Sequence, residues 1–287
     1  MKNVLEWLEA TVAKYPDKPA FSDTESSITF RQVYDIARNT GAYLVEQLGV
    51  DRTPIAVFAG RKMVTPAYFL GVVYAGRPYA PIDASLPDKR IEKILENLCP
   101  GAIVADRESR EHVESIVDEL AKAEGFDRPQ IFIAEDISRF EQVACADSNC
   151  KISESAGDAV TDSENDIDGG VVAGCAGKTD DSSRDMLAVV RRQMSMTDPL
   201  YIIYTSGSTG NPKGVMTSHL SLMTYINAYC DVMHIEESDV LGNQSPLDYI
   251  AAIRDIYLPL KTGCSTAIIP KRVLYGAECL FDYMNEK

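Results

Sequence analysis

The sequence predicts an α/β fold of mostly parallel sheets flanked by helices, and three observations carry that prediction. Short apolar runs of strand character alternate with amphipathic helical stretches along most of the chain. Helix start and stop residues punctuate the alternation. The apolar run Tyr201, Ile202, Ile203, Tyr204 empties into a glycine- and hydroxyl-rich loop. A rhythm of this kind covers both faces of a parallel sheet with helices.

Taken in order, Val4, Leu5, Leu8 and Val12 recur at helical spacing up to Pro16. A second helix starts at Thr29, where Gln32 three residues on completes a capping box, and Gly49 ends it. Strands follow over 55–58, 79–82, 102–105 and 130–134. They are separated by helices over 63–74, over 88–98 and beyond Arg107. After the loop come helices over 220–232 and 251–260 and a strand over 266–269.

Residues 147–185 break this rhythm. They hold ten Asp or Glu against three Lys or Arg, interleaved with Ser and Gly. So few large apolar side chains cannot offset the entropy of ordering, and a disordered or loosely attached insertion is expected, with an acidic partner-binding segment as the alternative. The chain divides into a first α/β part over 1–146, this insertion, and a second α/β part over 186–287 that carries the loop.

Composition bounds the function. The 287 residues are 45% hydrophobic, enough for a substantial core. A net charge of −15 opposes binding to nucleic acid or to an anionic membrane. Seven cysteines make no Cys-x-x-Cys pair and no cluster with histidine, which points away from a metal centre and toward the reducing cytoplasm. No run of ~18 apolar residues is present to span a bilayer, and Glu6 and Glu9 interrupt any secretory signal core.

The loop carries the chemistry. Thr205, Ser206, Gly207, Ser208, Thr209 and Gly210 follow the strand directly, and Lys213 comes three residues later. Glycines let backbone N–H groups turn toward an anion, the hydroxyls add donors, and the lysine adds a full charge, so the segment reads as a phosphate grip. A Walker loop is excluded, because Pro212 precedes the lysine and Gly214 stands where a magnesium-holding hydroxyl belongs. A Gly-x-Gly-x-x-Gly dinucleotide pattern is also absent from the loop. A solvated Ser/Gly linker is the alternative for the same residues.

This loop resembles the signature of the adenylate-forming (AMP-binding) enzymes. Within them it is closest to the amino-acid adenylation domains of nonribosomal peptide synthetases and to D-alanine carrier-protein ligases. Two more segments, in family order, support the resemblance. Residues 75–83 with 87–91, Ala-Gly-Arg-Pro-Tyr-Ala-Pro-Ile-Asp and Pro-Asp-Lys-Arg-Ile, are similar to the family's "AGxAYxPIDxxxPxxRI" element, and 28–33 to its early "LTYxEL" element.

The resemblance implies ATP and Mg2+ as cofactors. The loop and Lys213 would hold the β- and γ-phosphates, a carboxylic acid (an amino acid foremost) would be the substrate, and a phosphopantetheinyl carrier protein would be the acceptor. It sets His219 near the substrate pocket and makes Asp83 architectural. Amino-acid-activating members hold the substrate ammonium with an aromatic-Asp pair, and Tyr249 and Ile250 fall at those two positions. Ile250 offers no counter-charge, so Asp248, two residues earlier, is the substitute if the register shifts. Nothing after Tyr257 resembles the family's later adenine, ribose and hinge elements or its C-terminal catalytic lysine. The chain therefore looks like an N-terminal portion, inactive or weakly active alone. A noncatalytic remnant or interaction module that keeps only the phosphate loop is the other class.

Overall fold

A computed structural model describes residues 2–122, 125–139, 181–205 and 211–286. Ser206, Gly207, Ser208, Thr209 and Gly210, most of the acidic insertion, and Cys145, Cys150 and Cys175 lie outside these described residues.

The chain opens with α1 (Leu5–Lys14), a hairpin of β1 (Pro19–Ser22) and β2 (Ser27–Thr29), and α2 (Phe30–Leu48). Helix α2 begins where the sequence places it. The Thr29 hydroxyl accepts from the Gln32 N–H and the Gln32 side chain accepts from the Thr29 N–H, while Gly49 closes the helix at φ +69°. Strands and helices then alternate as β3 (Ile55–Phe58), α3 (Thr65–Tyr74), β4 (Tyr79–Ile82), α4 (Asp88–Leu98), β5 (Ala102–Ala105), α5 (Arg110–Leu120), β6 (Gln130–Ile133) and α6 (Ala134–Ile137). The second part holds α7 (Asp181–Gln193), β7 (Pro199–Thr205), β8 (Lys213–Ser218), α8 (His219–Met233), β9 (Val240–Asn243), α9 (Ala252–Thr262) and β10 (Ser265–Ile268). A 3₁₀ turn (Lys271–Tyr275) and α10 (Ala277–Glu286) follow.

These strands form two sheets. One has six strands in the order β6-β5-β3-β4-β7-β8, parallel throughout except that β8 runs antiparallel to β7. The other has four strands in the order β2-β1-β10-β9, with β1, β10 and β9 parallel and β2 antiparallel. Every residue of β3, β4 and β5 is buried, as expected for strands covered on both faces.

Helix α3 is buried along its whole length, and α2 crosses it at two glycines. A Cβ on Gly41 would stand 2.5 Å from the Tyr74 Cβ, and one on Gly71 would stand 2.5 Å from the Thr40 Cβ, so this close approach admits no side chain. Phe69 of α3 stacks on Tyr79 of β4 at 4.6 Å, and the Tyr79 hydroxyl meets that of Tyr257 in α9 at 3.1 Å. That hydroxyl pair satisfies two buried polar groups and ties the six-stranded sheet to the helix that covers the smaller one.

Helix α7 begins at Asp181, so the last five residues assigned to the insertion are helical. Leu187, Val190 and Met194 share one apolar stripe that is buried with α2 and α3 in the main core. Arg191 fixes α7 to α1 by donating to Asn3 Oδ1 at 2.5 Å and Glu9 Oε2 at 2.9 Å. A short amphipathic stripe at the end of an acidic stretch is enough to cross from solvated to packed.

Candidate functional site

Strand β3 lies at the switch point of the larger sheet: α3 leads to β4 on one side, and β5 lies on the other. Open parallel sheets bind ligands in the crevice beyond the carboxyl ends of the strands at such a point. A cavity of about 270 Å³ occupies that place, lined among others by Gly60, Arg61, Ile82, Asp83, Asp248 and Lys271. It receives residues from the six-stranded sheet and the turns that follow its strands, from the β9–α9 segment and, at Lys271, from the 3₁₀ turn after β10.

Arg61, in the turn after β3, bridges the sheets. Its guanidinium donates to the Gln244 carbonyl at 3.0 Å, to the Asn243 carbonyl at 2.7 Å and to Asn243 Oδ1 at 3.0 Å. The Asn243 amide donates to Asp255 Oδ2 at 2.9 Å, and Arg254 Nε donates to Asp255 Oδ1 at 3.1 Å. Burial lowers the Arg61 pKa against the opposing fields of Asp255 and Asp83. Burial likewise raises the Asp255 carboxyl despite its hydrogen bonds from Asn243 and Arg254. The Arg61 turn is itself anchored from β5, because the Gly60 N–H donates to the buried Asp106 carboxylate at 3.0 Å and Lys62 pairs with it at 3.2 Å.

Two carboxylates, Asp83 and Asp248, line the cavity. Burial would raise Asp83, but hydrogen bonds from Ser85 and the Lys271 ammonium at 3.5 Å outweigh it and hold the group below its ordinary value. Asp248 goes the other way: burial raises it first, and the neighbouring Asp83 charge adds to the rise. Two acidic side chains at one cavity favour a cationic guest. Tyr249 and Ile250 sit in the following turn with 55% and 50% of their surface exposed, so only Asp248 of these three predicted residues lines the cavity. Asp83, read from the sequence as architectural, lines it too.

The predicted phosphate grip is described at its two ends. Thr205 closes β7 and Lys213 opens β8 as direct cross-strand partners, with Thr205 Oγ1 3.4 Å from the Lys213 carbonyl. Lys213 is the first residue of a strand that the sequence does not announce, exposed at the end of a hairpin. Side chains on both flanks of the loop bond to α4: the Tyr204 hydroxyl donates to Asn97 at 2.8 Å and Lys93 donates to Asn211 at 3.0 Å. Gly214 lets the Tyr204 ring lie across β8, since a Cβ there would meet that ring at 3.1 Å and Ile202 at 2.9 Å. Directly paired residues of antiparallel strands carry their side chains on one face, and a lysine beside a threonine at a parallel sheet's carboxyl edge suits a polyphosphate.

His219 is not part of this assembly. It is the first residue of α8, after the cap Ser218, which pairs with Pro199 at the opposite end of the β7–β8 hairpin from Lys213. It is 1% exposed, its Nδ1 is buried without a hydrogen-bond partner among the described residues, and its N–H donates to the Asp198 carbonyl at 3.2 Å. Burial lowers its pKa to about 4, with Asp198 opposing and Arg191 reinforcing the shift. A six-residue strand spans roughly 20 Å, so placing His219 near the cavity is corrected to a core position at the hairpin's base.

Arg61, Asn243 and Lys271 escaped the sequence reading. Each is an ordinary polar residue at the end of a short element, and nothing local marks it as convergent.

A family profile described as AMP-binding enzyme matches residues 8–287. The D-alanine–D-alanyl carrier protein ligase of Bacillus licheniformis is 26% identical over 280 residues, covering 96% of this chain and 45% of the relative. The ligase of the same description from Listeria welshimeri is 25% identical and is covered to the same 45%. Among solved structures, a four-domain nonribosomal peptide synthetase bound to AMP and glycine superposes on all of this chain with a TM-score of 0.69 at 18% identity, over 17% of its own length. The N-terminal subdomain of Klebsiella oxytoca NpsA superposes on 94% of this chain with a TM-score of 0.62 at 17% identity, over 54% of its length. This chain therefore spans a little under half the length of the curated relatives it matches. With the profile running over nearly every residue, the chain belongs to the AMP-binding enzyme family.

Proposed function

We propose that this chain forms the phosphate-gripping portion of an adenylate-forming ligase. In that reaction a substrate carboxylate oxygen bonds to the α-phosphorus of ATP while the bond to the departing pyrophosphate breaks, and the acyl-adenylate then passes its acyl group to a carrier-protein thiol. Lys213, Thr205 and the Ser206–Gly210 stretch of this sequence would neutralise charge on the leaving pyrophosphate together with Mg2+. The observation that carries the reading is the Thr205–Lys213 pair at the open end of a hairpin beside the sheet's carboxyl edge. An amino acid is the favoured substrate, in keeping with the carrier-protein ligases it is similar to. Asp248, which lines the cavity, would supply the counter-charge for an ammonium that Ile250 cannot, with the exposed Tyr249 and Ile250 in the turn that follows as further candidate contacts. A cytoplasmic setting fits the free thiols of Cys99, Cys230, Cys264 and Cys279, and no helix of the described residues is long and apolar enough to cross a membrane.

A second reading, a nucleotide-binding or interaction module without turnover, is favoured by the apolar Ile250 where the family's aspartate belongs. Exchange of labelled pyrophosphate into ATP separates the two. The assay uses a panel of amino, aryl and fatty acids with the remainder of a family member supplied. Acid-dependent exchange is expected, and its absence with every acid overturns the ligase reading. Titration with MgATP tests the grip separately: Lys213→Ala is expected to weaken binding about tenfold, the loss of one charge-assisted contact.

A further inference from the structure

Four charged side chains line the cavity at the switch point, Arg61 and Lys271 against Asp83 and Asp248. They differ in how far each is already engaged. The Arg61 guanidinium is held by the Asn243 and Gln244 carbonyls and by Asn243 Oδ1. Asp83 accepts the Ser85 N–H at 2.8 Å on one oxygen and meets the Lys271 ammonium at 3.5 Å on the other. Asp248 has no side-chain partner among the described residues. Burial and the Asp83 charge push its carboxyl up, opposed by backbone N–H groups and the field of Lys271. Lys271 is the loosest of the four: it stands in the 3₁₀ turn after β10 with 56% of its side chain exposed, and its contact with Asp83 is longer than a charge-assisted hydrogen bond.

An exposed lysine paired in this way with a carboxylate contributes little, so a second ammonium exchanges with it at small cost. The two acids draw a cation, while Arg61 and Lys271 bring the formal charge of the lining to zero, so a guest that carries both signs matches it best. Val57, Phe69, Pro81 and Leu247 wall the rest. At about 270 Å³ the cavity falls below the roughly 300–1,000 Å³ of ordinary ligand pockets, which suits a compact guest and not a long acyl chain.

Resting on the reading of this cavity as the substrate pocket, we propose that Lys271 is a specificity-determining residue, which occupies Asp83 until the ammonium of a small free amino acid replaces it there and then pairs with that amino acid's carboxylate. Asp248 shares the incoming ammonium with Asp83. A simple amine displaces Lys271 without giving it a new partner, and a simple acid leaves both aspartates without a guest cation. Lys271 thereby makes the cavity select a zwitterion over either half of one.

Saturation-transfer NMR titrations with alanine, ethylamine and propionate, without nucleotide, test this. The protein is expected to bind alanine about fivefold more tightly than ethylamine or propionate, the size of one partly exposed ion pair. Lys271→Met is expected to tighten ethylamine, because Asp83 loses its resident competitor, and to bring the alanine and ethylamine dissociation constants within about twofold of each other. Lys271→Arg keeps the preference. Asp83→Asn combined with Asp248→Asn is expected to abolish binding of both amines. Two ligands are compared on one sample, so partial unfolding of a variant lowers both signals alike and leaves their ratio unmoved. A parent protein without the alanine preference, a ratio that Lys271→Met leaves unchanged, or alanine binding that survives the double substitution each overturns the inference. Alanine bound with this selectivity but no acid-dependent pyrophosphate exchange refutes the ligase reading alone, and exchange supported by a fatty acid with no alanine binding refutes this inference alone.

Discussion

Strands β3, β4 and β5 and strand β8 belong to one sheet yet live in opposite surroundings. All twelve residues of the first three are buried, whereas Lys213 through Met216 of β8 are exposed and Thr217 and Ser218 only half covered. The inner strands are held by helices on both faces; among the described residues β8 pairs with one strand, β7, and touches α4 and α8. The difference separates what holds the molecule together from what it offers to others. The inner half gains its stability from removing apolar surface from water, while the outer strand, among the described residues, keeps Val215 and Met216 exposed and pairs on one side alone.

The largest expected effect breaks the inner half. Phe58→Ala removes a fully buried ring from β3 and should lower the unfolding free energy by about 3–5 kcal/mol in urea denaturation. A loss under about 1 kcal/mol would show that the inner sheet is not the stabilising element.

Next, Arg61→Ala removes three hydrogen bonds between the sheets at the cavity and should cost about 2–3 kcal/mol. Exchange is expected to quicken in the Asn243–Asp248 segment before it does in β5, and uniform quickening would deny Arg61 its role as a bridge.

His219 sharpens the comparison by pH. Its folded pKa is about 4 against an ordinary 6.5, so the unfolded chain binds the extra proton as pH falls below 6.5. Stability is complete above that pH and drains away toward the folded value. A loss of about 2 kcal/mol is expected between pH 6.5 and 5, and His219→Gln should flatten the profile over that window. A profile that does not change would mean the ring is hydrated at the hairpin's base.

The smallest effect belongs to the outer edge. Met216→Ser and Val232→Ser should each shift stability by no more than about 0.5 kcal/mol, because both side chains already face water. A destabilisation as large as that of Phe58→Ala would place them in a core.

Where function rests on a contiguous pattern, the sequence was legible. The Thr29–Gln32 capping box, the strand over 79–82 and the helix over 88–98 stand where periodicity and capping put them. What failed was whatever depends on distant partners. Strand β1 pairs with β10 more than 240 residues away, so although β10 itself shows in the sequence, its pairing into a second sheet and the strands β1, β2 and β9 had no local signal. Strand β8 had no signal of its own, because a strand of Lys, Gly, Val, Met, Thr and Ser gains its conformation from pairing with β7. His219 looked like a site residue from its place in a motif, and only the packing around Asp198 showed it buried at the wrong end of the hairpin.

By itself the sequence determined the family, the α/β rhythm and the presence of a hydroxyl- and glycine-rich loop with one lysine, because periodicity, capping and loop chemistry act over a few neighbouring residues. The tertiary structure decided that Asp248 and not Ile250 lines the cavity, that Arg61 joins two sheets through Asn243, and that Lys213 opens a strand paired with β7. Those outcomes depend on which surfaces meet across hundreds of residues, and burial and pairing at that range are properties of the packed chain rather than of any stretch within it.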